Sequence, residues 1–158
     1  MAWRAADRAE LTARAQAADA SDYVLEEQVG HLLRRAHQRH SAIFQATIGD
    51  AQLTPLQFAA LMKLADLGEA SQNHLGRLTA MDAATMQGVI KRLIARGLIG
   101  RRPDPGDRRR LLLTLTQDGA AIAAEAAARG LTISELTLDP LTAAERETFL
   151  RLLAKMSD

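Results

Sequence analysis

A mainly helical fold carrying one small β-hairpin is what this sequence predicts, and three observations predict it. Ala and Leu dominate a composition that is 47% hydrophobic but only 3% aromatic, which favours helices over a β-sandwich. Apolar residues recur at helical spacing through most of the chain. One stretch breaks that rhythm: Leu98-Ile99-Gly100-Arg101 and Leu111 to Thr116 read as two strands. The Pro103-Asp104-Pro105-Gly106 between them is turn chemistry, since proline fixes φ and glycine permits positive φ.

Each element has its own signals. Residues 1–20 are Ala-rich with interspersed charges and read as an N-terminal arm, helical or mobile. Ser21-Asp22 marks a helix start, with Glu26 and Glu27 complementing the dipole. Leu25, Val29, Leu32, Leu33, Ala36, His40, Ile43 and Phe44 then form the stripe of a long amphipathic helix that Gly49-Asp50 ends. Thr54-Pro55 starts another, with a cap residue followed by proline at the first helical position. Its apolar face is Phe58, Leu61, Met62, Leu64 and Ala65, and Gly68 stops it.

Ser71 caps a short helix holding Leu75 and Leu78. A break at Thr79-Ala80-Met81-Asp82 leads into a helix with Met86, Val89, Ile90, Leu93 and Ile94, stopped by Gly97. Two helices joined by a tight break have the shape of a helix-turn-helix. In the second strand Leu111, Leu113 and Leu115 alternate onto one face. A helix of low bulk follows Gly119, runs from Ala120 to Ala128, and is interrupted at Gly130. Thr142-Ala143-Ala144-Glu145 is a capping box opening a last helix with Phe149, Leu152, Leu153 and Met156. A chain of 158 residues suffices for one compact domain with a real core. Within it, residues 51–117 form the helix-turn-helix and hairpin, flanked by helical regions at 21–50 and 118–158.

Several function classes drop out. The chain contains no cysteine, which removes disulfides, thiol redox sensing and thiolate metal sites. His31, His37 and His74 lack carboxylate partners at ligand spacing, so no metal site or cofactor is expected. No nucleophile–base pair, Gly-rich phosphate loop or paired acids are present, so the chain does not read as an enzyme. No apolar run approaches a membrane span and no signal-peptide region opens the chain, so a cytoplasmic location is expected.

Charge points to the partner. Between Lys91 and Arg110 lie eight Lys/Arg against two acids, a local charge of +6 in a chain of net charge +1. A basic element on an otherwise acidic chain suits a polyanion such as double-stranded DNA. With Met86, Val89, Ile90 and Leu93 facing inward, the second helix presents Ala83, Ala84, Gln87, Gly88 and Lys91 outward, with Thr85 and Arg92 on the flanks. Gln87 can pair adenine bidentately, and alanine or the Thr85 methyl can meet a thymine methyl. Lys91 and Arg92 suit phosphates, which set register rather than sequence preference. Ser71, Gln72 and Asn73 open the preceding helix and suit a phosphate as well. At the hairpin tip Arg108, Arg109 and Arg110 can enter a narrow minor groove. Asp107, two residues from Arg109, can hold and aim that guanidinium.

These residues match a known pattern. Thr54-Pro55-Leu56-Gln57, Leu75-Gly76-Arg77-Leu78, the run from Ala84 to Leu93, Arg96-Gly97-Leu98-Ile99, and Asp107-Arg108-Arg109 with Leu115-Thr116-Gln117-Asp118-Gly119 resemble the MarR family of winged helix-turn-helix regulators. The resemblance spans about residues 22 to 156. It implies a homodimer joined through the first and last helices, so residues 21–50 and 118–158 become the dimerisation region. It further implies binding to a pseudo-palindromic operator, usually as a repressor, with relief by a small, often aromatic and anionic effector. Ala83 to Lys91 would then be the major-groove helix, and Arg109, held by Asp107, the minor-groove arginine. One position departs: many members carry arginine where this chain has Gly88.

Within the family, Arg39-His40-x-Ala42-Ile43-Phe44 and the run from Ser71 to Thr85 resemble the branch that controls nicotinate breakdown, which implies a hydroxylated pyridine carboxylate as ligand. His40 on the stripe of the first helix reads either as a hydrogen-bonded core histidine or as a polar group in an effector pocket. Arg39 could supply a countercharge, with Phe44, Phe58 and Met62 as apolar walls, although helical spacing makes these core residues first. The rival reading is a winged-helix protein-interaction module without a DNA role.

Overall fold

The computed structural model describes residues 23–107 and 111–157. The N-terminal arm, the Ser21-Asp22 start signal and Arg108 to Arg110 lie outside those residues. The chain divides into two compact units at His37/Gln38. A 3-10 turn at Leu25–Glu27 precedes α1 (Val29–Thr47). Next come a 3-10 turn at Gly49–Ala51, α2 (Pro55–Leu67), β1 (Glu69–Ser71), α3 (Gln72–Leu78) and α4 (Ala83–Ala95). Strands β2 (Ile99–Pro103) and β3 (Leu111–Leu115) follow, then α5 (Gln117–Leu138) and α6 (Ala143–Ser157). No helix among the described residues is long and apolar enough to cross a membrane.

The boundaries follow local chemistry. Thr54 and Gln57 form a reciprocal capping box at the start of α2, with Pro55 at its first turn; this bonding is what lets Gln57 be buried. Gly68 and Gly97 end α2 and α4 at φ of 73° and 72°, values that strain any residue with a Cβ. The Thr142–Glu145 box opens α6, with Thr142 N donating to Glu145 Oε2 at 2.8 Å and Glu145 N to Thr142 Oγ1 at 3.4 Å. The Thr142 backbone N–H, then the Thr142 hydroxyl, hold the Glu145 carboxyl below its ordinary range.

Four expectations need correction. The first helix starts at Val29 rather than near Ser21: Gln28 is extended at ψ 132° and its side-chain amide donates to Val24 O at 2.9 Å, closing the turn before it. The hairpin is part of a three-stranded antiparallel sheet of order β1-β3-β2, in which Ala70 pairs Leu113 and Arg101 pairs Leu113 from the other side. Leu111 is exposed while Leu112 and Leu113 are buried, because Leu111 pairs Pro103 beyond the end of β1. Finally, α5 runs unbroken through Gly130. That glycine is a packing device: a Cβ there would lie 2.7 Å from Phe58 Cζ. A smaller departure is Ala65, which is exposed on α2.

The core gathers Leu61 and Leu64 of α2, Leu75 of α3, Met86, Val89, Ile90 and Leu93 of α4, and Leu113 of β3, all 2% exposed or less. Phe44, Ala126 and Ile133 join the same cluster. One junction locks the sheet to α5. Thr116 N donates to Leu98 O at 3.1 Å, Thr116 Oγ1 to Gly97 O at 2.6 Å, and Gly119 N to Thr116 Oγ1 at 3.0 Å. The approach is so close that a Cβ on Gly119 would sit 1.8 Å from Leu98 O.

Candidate nucleic-acid interface

The reading surface is built on the turn between α3 and α4. Met81 N donates to Gly76 O at 2.9 Å and Thr79 Oγ1 to Leu75 O at 2.7 Å. A Cβ on Gly76 would be 3.2 Å from Met81 O, so glycine suits this crossing. Ala80 takes the left-handed conformation at φ 52°, which costs an L residue about 1–2 kcal/mol.

Asp82 caps α4: its Oδ1 accepts from Thr85 N at 2.8 Å and its Oδ2 from the Thr85 hydroxyl at 2.9 Å. The backbone donor of Thr85, then its hydroxyl, lower the Asp82 carboxyl below its ordinary value. Thr85 therefore commits its hydroxyl within the chain and retains its methyl for an outside contact. Met86, Val89, Ile90 and Leu93 face the core, whereas Ala83, Ala84, Gln87, Lys91 and Arg92 are exposed and Thr85 and Gly88 half-buried. That is the inward–outward division the sequence predicts, except that Gly88, expected outward, is half-buried.

Ser71, Gln72 and Asn73 lie at the start of α3, with Ser71 Oγ accepting from His74 N at 3.3 Å. Ser71 is thus a structural cap, and Asn73 is the exposed member of the three. A shallow groove of about 240 Å³ runs between the two helices, lined by Gln72, Asn73, Gly76, Arg77, Met81, Ala83 and Met86. Exposed Arg77 belongs to this surface, although the sequence alone assigns it no contact role. In the sequence it stands within the Leu75-Gly76-Arg77-Leu78 motif and as a cation in the last turn of α3.

The basic stretch divides. Arg96 bonds the backbone of the turn before α2, donating to Ala51 O at 2.6 Å and Gln52 O at 3.1 Å, so it supports the fold rather than facing a polyanion. Arg102 pairs with Glu69 of β1. Lys91, Arg92 and Arg101 are exposed. At the turn, Asp104 Oδ1 accepts from Gly106 N at 2.8 Å. Asp107 is exposed, and its expected pairing with Arg109 involves a residue outside those described.

A second cluster joins α1, α2 and α5. The Phe44 and Phe58 rings meet edge to face at 5.6 Å and 82°, with the His40 ring 6.4 Å from Phe44. His40 Nδ1 lies 3.0 Å from Thr137 Oγ1, whose hydroxyl donates to Ile133 O at 2.7 Å. With that proton committed, Nδ1–H of His40 donates to Thr137, leaving Nε2 as an acceptor in the neutral ring. Phe58 and Met62 are half-buried against the core. Arg39 is exposed and donates to Leu136 O at 3.1 Å. No group of three or more His, Asp or Glu suited to a metal ion occurs among the described residues.

Residues 51–110 match the family model described as the MarR family. The chain is 49% identical over 140 residues to the HTH-type transcriptional repressor NicR of Pseudomonas putida, with 89% of each chain covered. It belongs to the MarR family. As a member it is a DNA-binding transcriptional repressor, not an enzyme. Its fold superimposes on Bordetella bronchiseptica BpsR, whose DNA binding is regulated by 6-hydroxynicotinic acid, with TM-score 0.82 and 50% identity over 86% of this chain and 97% of that one. It also matches Escherichia coli MarR complexed with operator DNA, with TM-score 0.77 and 25% identity over 85% and 99%. In this MarR-family chain, α3, its turn, α4 and the β2–β3 hairpin make up a winged helix-turn-helix.

Proposed function

We propose that this protein is a cytoplasmic, homodimeric repressor that holds a pseudo-palindromic operator and releases it on binding a hydroxylated pyridine carboxylate such as 6-hydroxynicotinate. The observation that carries the DNA half is the exposed face of α4 (Ala83, Ala84, Gln87, Lys91, Arg92) standing beside a basic hairpin. Gln87 supplies a bidentate partner for adenine, Lys91 and Arg92 phosphate contacts, and Arg108 to Arg110 the wing cations, with Asp107 aiming Arg109. Ser71, Gln72 and Asn73 place the start of α3 against the backbone. Exposed apolar side chains on α6 and in the first turns of α1 support pairing through the terminal helices.

The effector half rests on His40, whose Nε2 acceptor lies beside the Phe44–Phe58 pair. A ligand hydroxyl can donate to Nε2 while its ring stacks on the aromatic walls and Met62, with Arg39 available to the carboxylate. The 50% identity to BpsR supports this choice of ligand class.

A gel shift on a duplex selected from a random-sequence pool tests the DNA half. Wild type should enrich a palindromic sequence, and Arg109→Ala should weaken binding. If neither protein binds even at low salt, the chain is an interaction module instead. For the effector half, 6-hydroxynicotinate should raise Tm and weaken the shift in wild type but not in His40→Ala. A panel of aromatic carboxylates that alters neither readout contradicts that half alone.

A further inference from the structure

Gly88 is the anomaly of the reading helix. Glycine is among the poorest helix formers, because it leaves the backbone most freedom to lose and most exposure to water. Three other helical glycines have a reason inside the fold: Gly76 faces Met81 O at 3.2 Å, Gly119 faces Leu98 O at 1.8 Å, and Gly130 faces Phe58 Cζ at 2.7 Å; Gly30 also meets nothing, but it is the second residue of α1, where the helix is only starting. At Gly88, in the middle of α4 (Ala83–Ala95), a Cβ would meet nothing within 4 Å. Its immediate neighbour Gln87 is exposed, as is Lys91 one turn on, while Met86 and Val89 on either side point into the core. The chain thus gains nothing by omitting a side chain there.

From this we infer that Gly88 is a specificity-determining residue whose missing side chain lets the α4 backbone close on a base pair, with a thymine 5-methyl occupying the space a Cβ would fill. The inference rests on the reading of α4 as the major-groove helix. Close backbone approach to a partner is a recurring use of glycine, and the thymine methyl is the group that projects furthest from the edge of an A·T pair. Gln87 is positioned by the same turn to take the adenine of that pair or its neighbour through N6 and N7. One backbone step thereby recognises an A·T pair by a bidentate hydrogen bond on one side and by shape on the other. Where a long side chain would hold the helix off the groove floor, Gly88 brings it down.

The test adds a methyl to the protein and removes one from the DNA. Gly88→Ala should fold normally and raise Tm by about 2–4 °C, since alanine is the better helix former and meets no neighbour. It should nevertheless bind the duplex selected by wild type about ten- to a hundredfold more weakly, the range of one misfitted base pair. Deoxyuridine should then replace thymidine at each position of the half-site in turn. At one position it should weaken wild type yet recover most of the affinity of Gly88→Ala, because the two methyls compete for one space. Undiminished binding by Gly88→Ala would overturn the inference. So would a loss that no thymidine-to-deoxyuridine change relieves, because the obstacle would then lie elsewhere. If wild type selects no sequence at all, the underlying DNA reading fails instead, and the two failures are told apart by that first step.

Discussion

Helices α4 and α6 carry similar apolar periodicity but meet different fates. In α4, Met86, Val89, Ile90 and Leu93 are no more than 2% exposed, whereas in α6 Phe149, Leu150, Leu152, Leu153 and Met156 remain 36% to 65% exposed. Burying one such side chain contributes about 1.5–3 kcal/mol, so α4 is held by its own chain and α6 leaves most of that stabilisation unclaimed. Periodicity says that a helix has an apolar face; it does not say whose surface will cover it. The helix-turn-helix unit closes on itself through short contacts such as Gly119 to Leu98, while the terminal helix offers its face outward, which suits the proposed pairing through the terminal helices.

The sharpest way to break the self-contained side of this contrast is at Gly119. A Cβ there would collide with the Leu98 carbonyl, which is backbone and cannot swing aside. Gly119→Ala should cost about 3 kcal/mol or more, seen as a large drop in the urea midpoint. A loss below about 1 kcal/mol would mean that the β2–α5 junction yields easily.

The outward side is tested by Leu152→Asp with Leu153→Asp. Both positions are solvent-facing in the single chain, so helical circular dichroism should be largely kept while sedimentation shifts from dimer to monomer. A variant that stays dimeric would place the contact elsewhere.

Much of the reading unit is legible in the order of its amino acids. The Thr54-Pro55 start, the stops at Gly68 and Gly97, and the inward set of α4 follow from local rules of capping, positive φ and period, and all appear in the fold. What stays hidden depends on distant partners. Strand β1 has three residues and exists because β3, over forty positions later, pairs with it. Gly130 resembles a helix stop until Phe58 is seen against it. Arg96 and Arg102 count as free cations until Ala51 O and Glu69 claim them. In the effector cluster His40 is legible as a stripe residue, but the Thr137 hydroxyl that orders its ring lies 97 positions away.

Ala80 sharpens the comparison in the stabilising direction. Its left-handed backbone at the α3–α4 turn is one glycine adopts freely. Ala80→Gly should therefore stabilise the reading unit by about 0.5–1 kcal/mol, the relief of strain less the added freedom of the unfolded chain. Chemical denaturation with an unchanged slope checks this; a lower midpoint would contradict it.

The smallest effect is expected with acid. The ordinary value for Asp82 is 3.8, and its folded carboxyl lies below that. Its contribution is thus fully present above the ordinary value and is lost as pH falls through the lowered one. Asp82→Asn keeps an acceptor at the cap without titrating there. The wild-type advantage in Tm over Asp82→Asn should hold near neutrality and shrink below about pH 4. An advantage that grows with acid would reverse the assigned sign. Glu145, which reaches back to the Thr142 N–H and hydroxyl at the start of α6, is lowered likewise, so it supplies a shared background rather than a difference.

On the proposed function, a DNA-facing surface built within one chain acts as a pair joined through α6. Sedimentation of the full chain with a duplex that it selects tests this most directly. Two chains per duplex are expected, with the Leu152→Asp and Leu153→Asp variant losing most of its affinity. One chain per duplex, bound as tightly by that variant as by wild type, would contradict it.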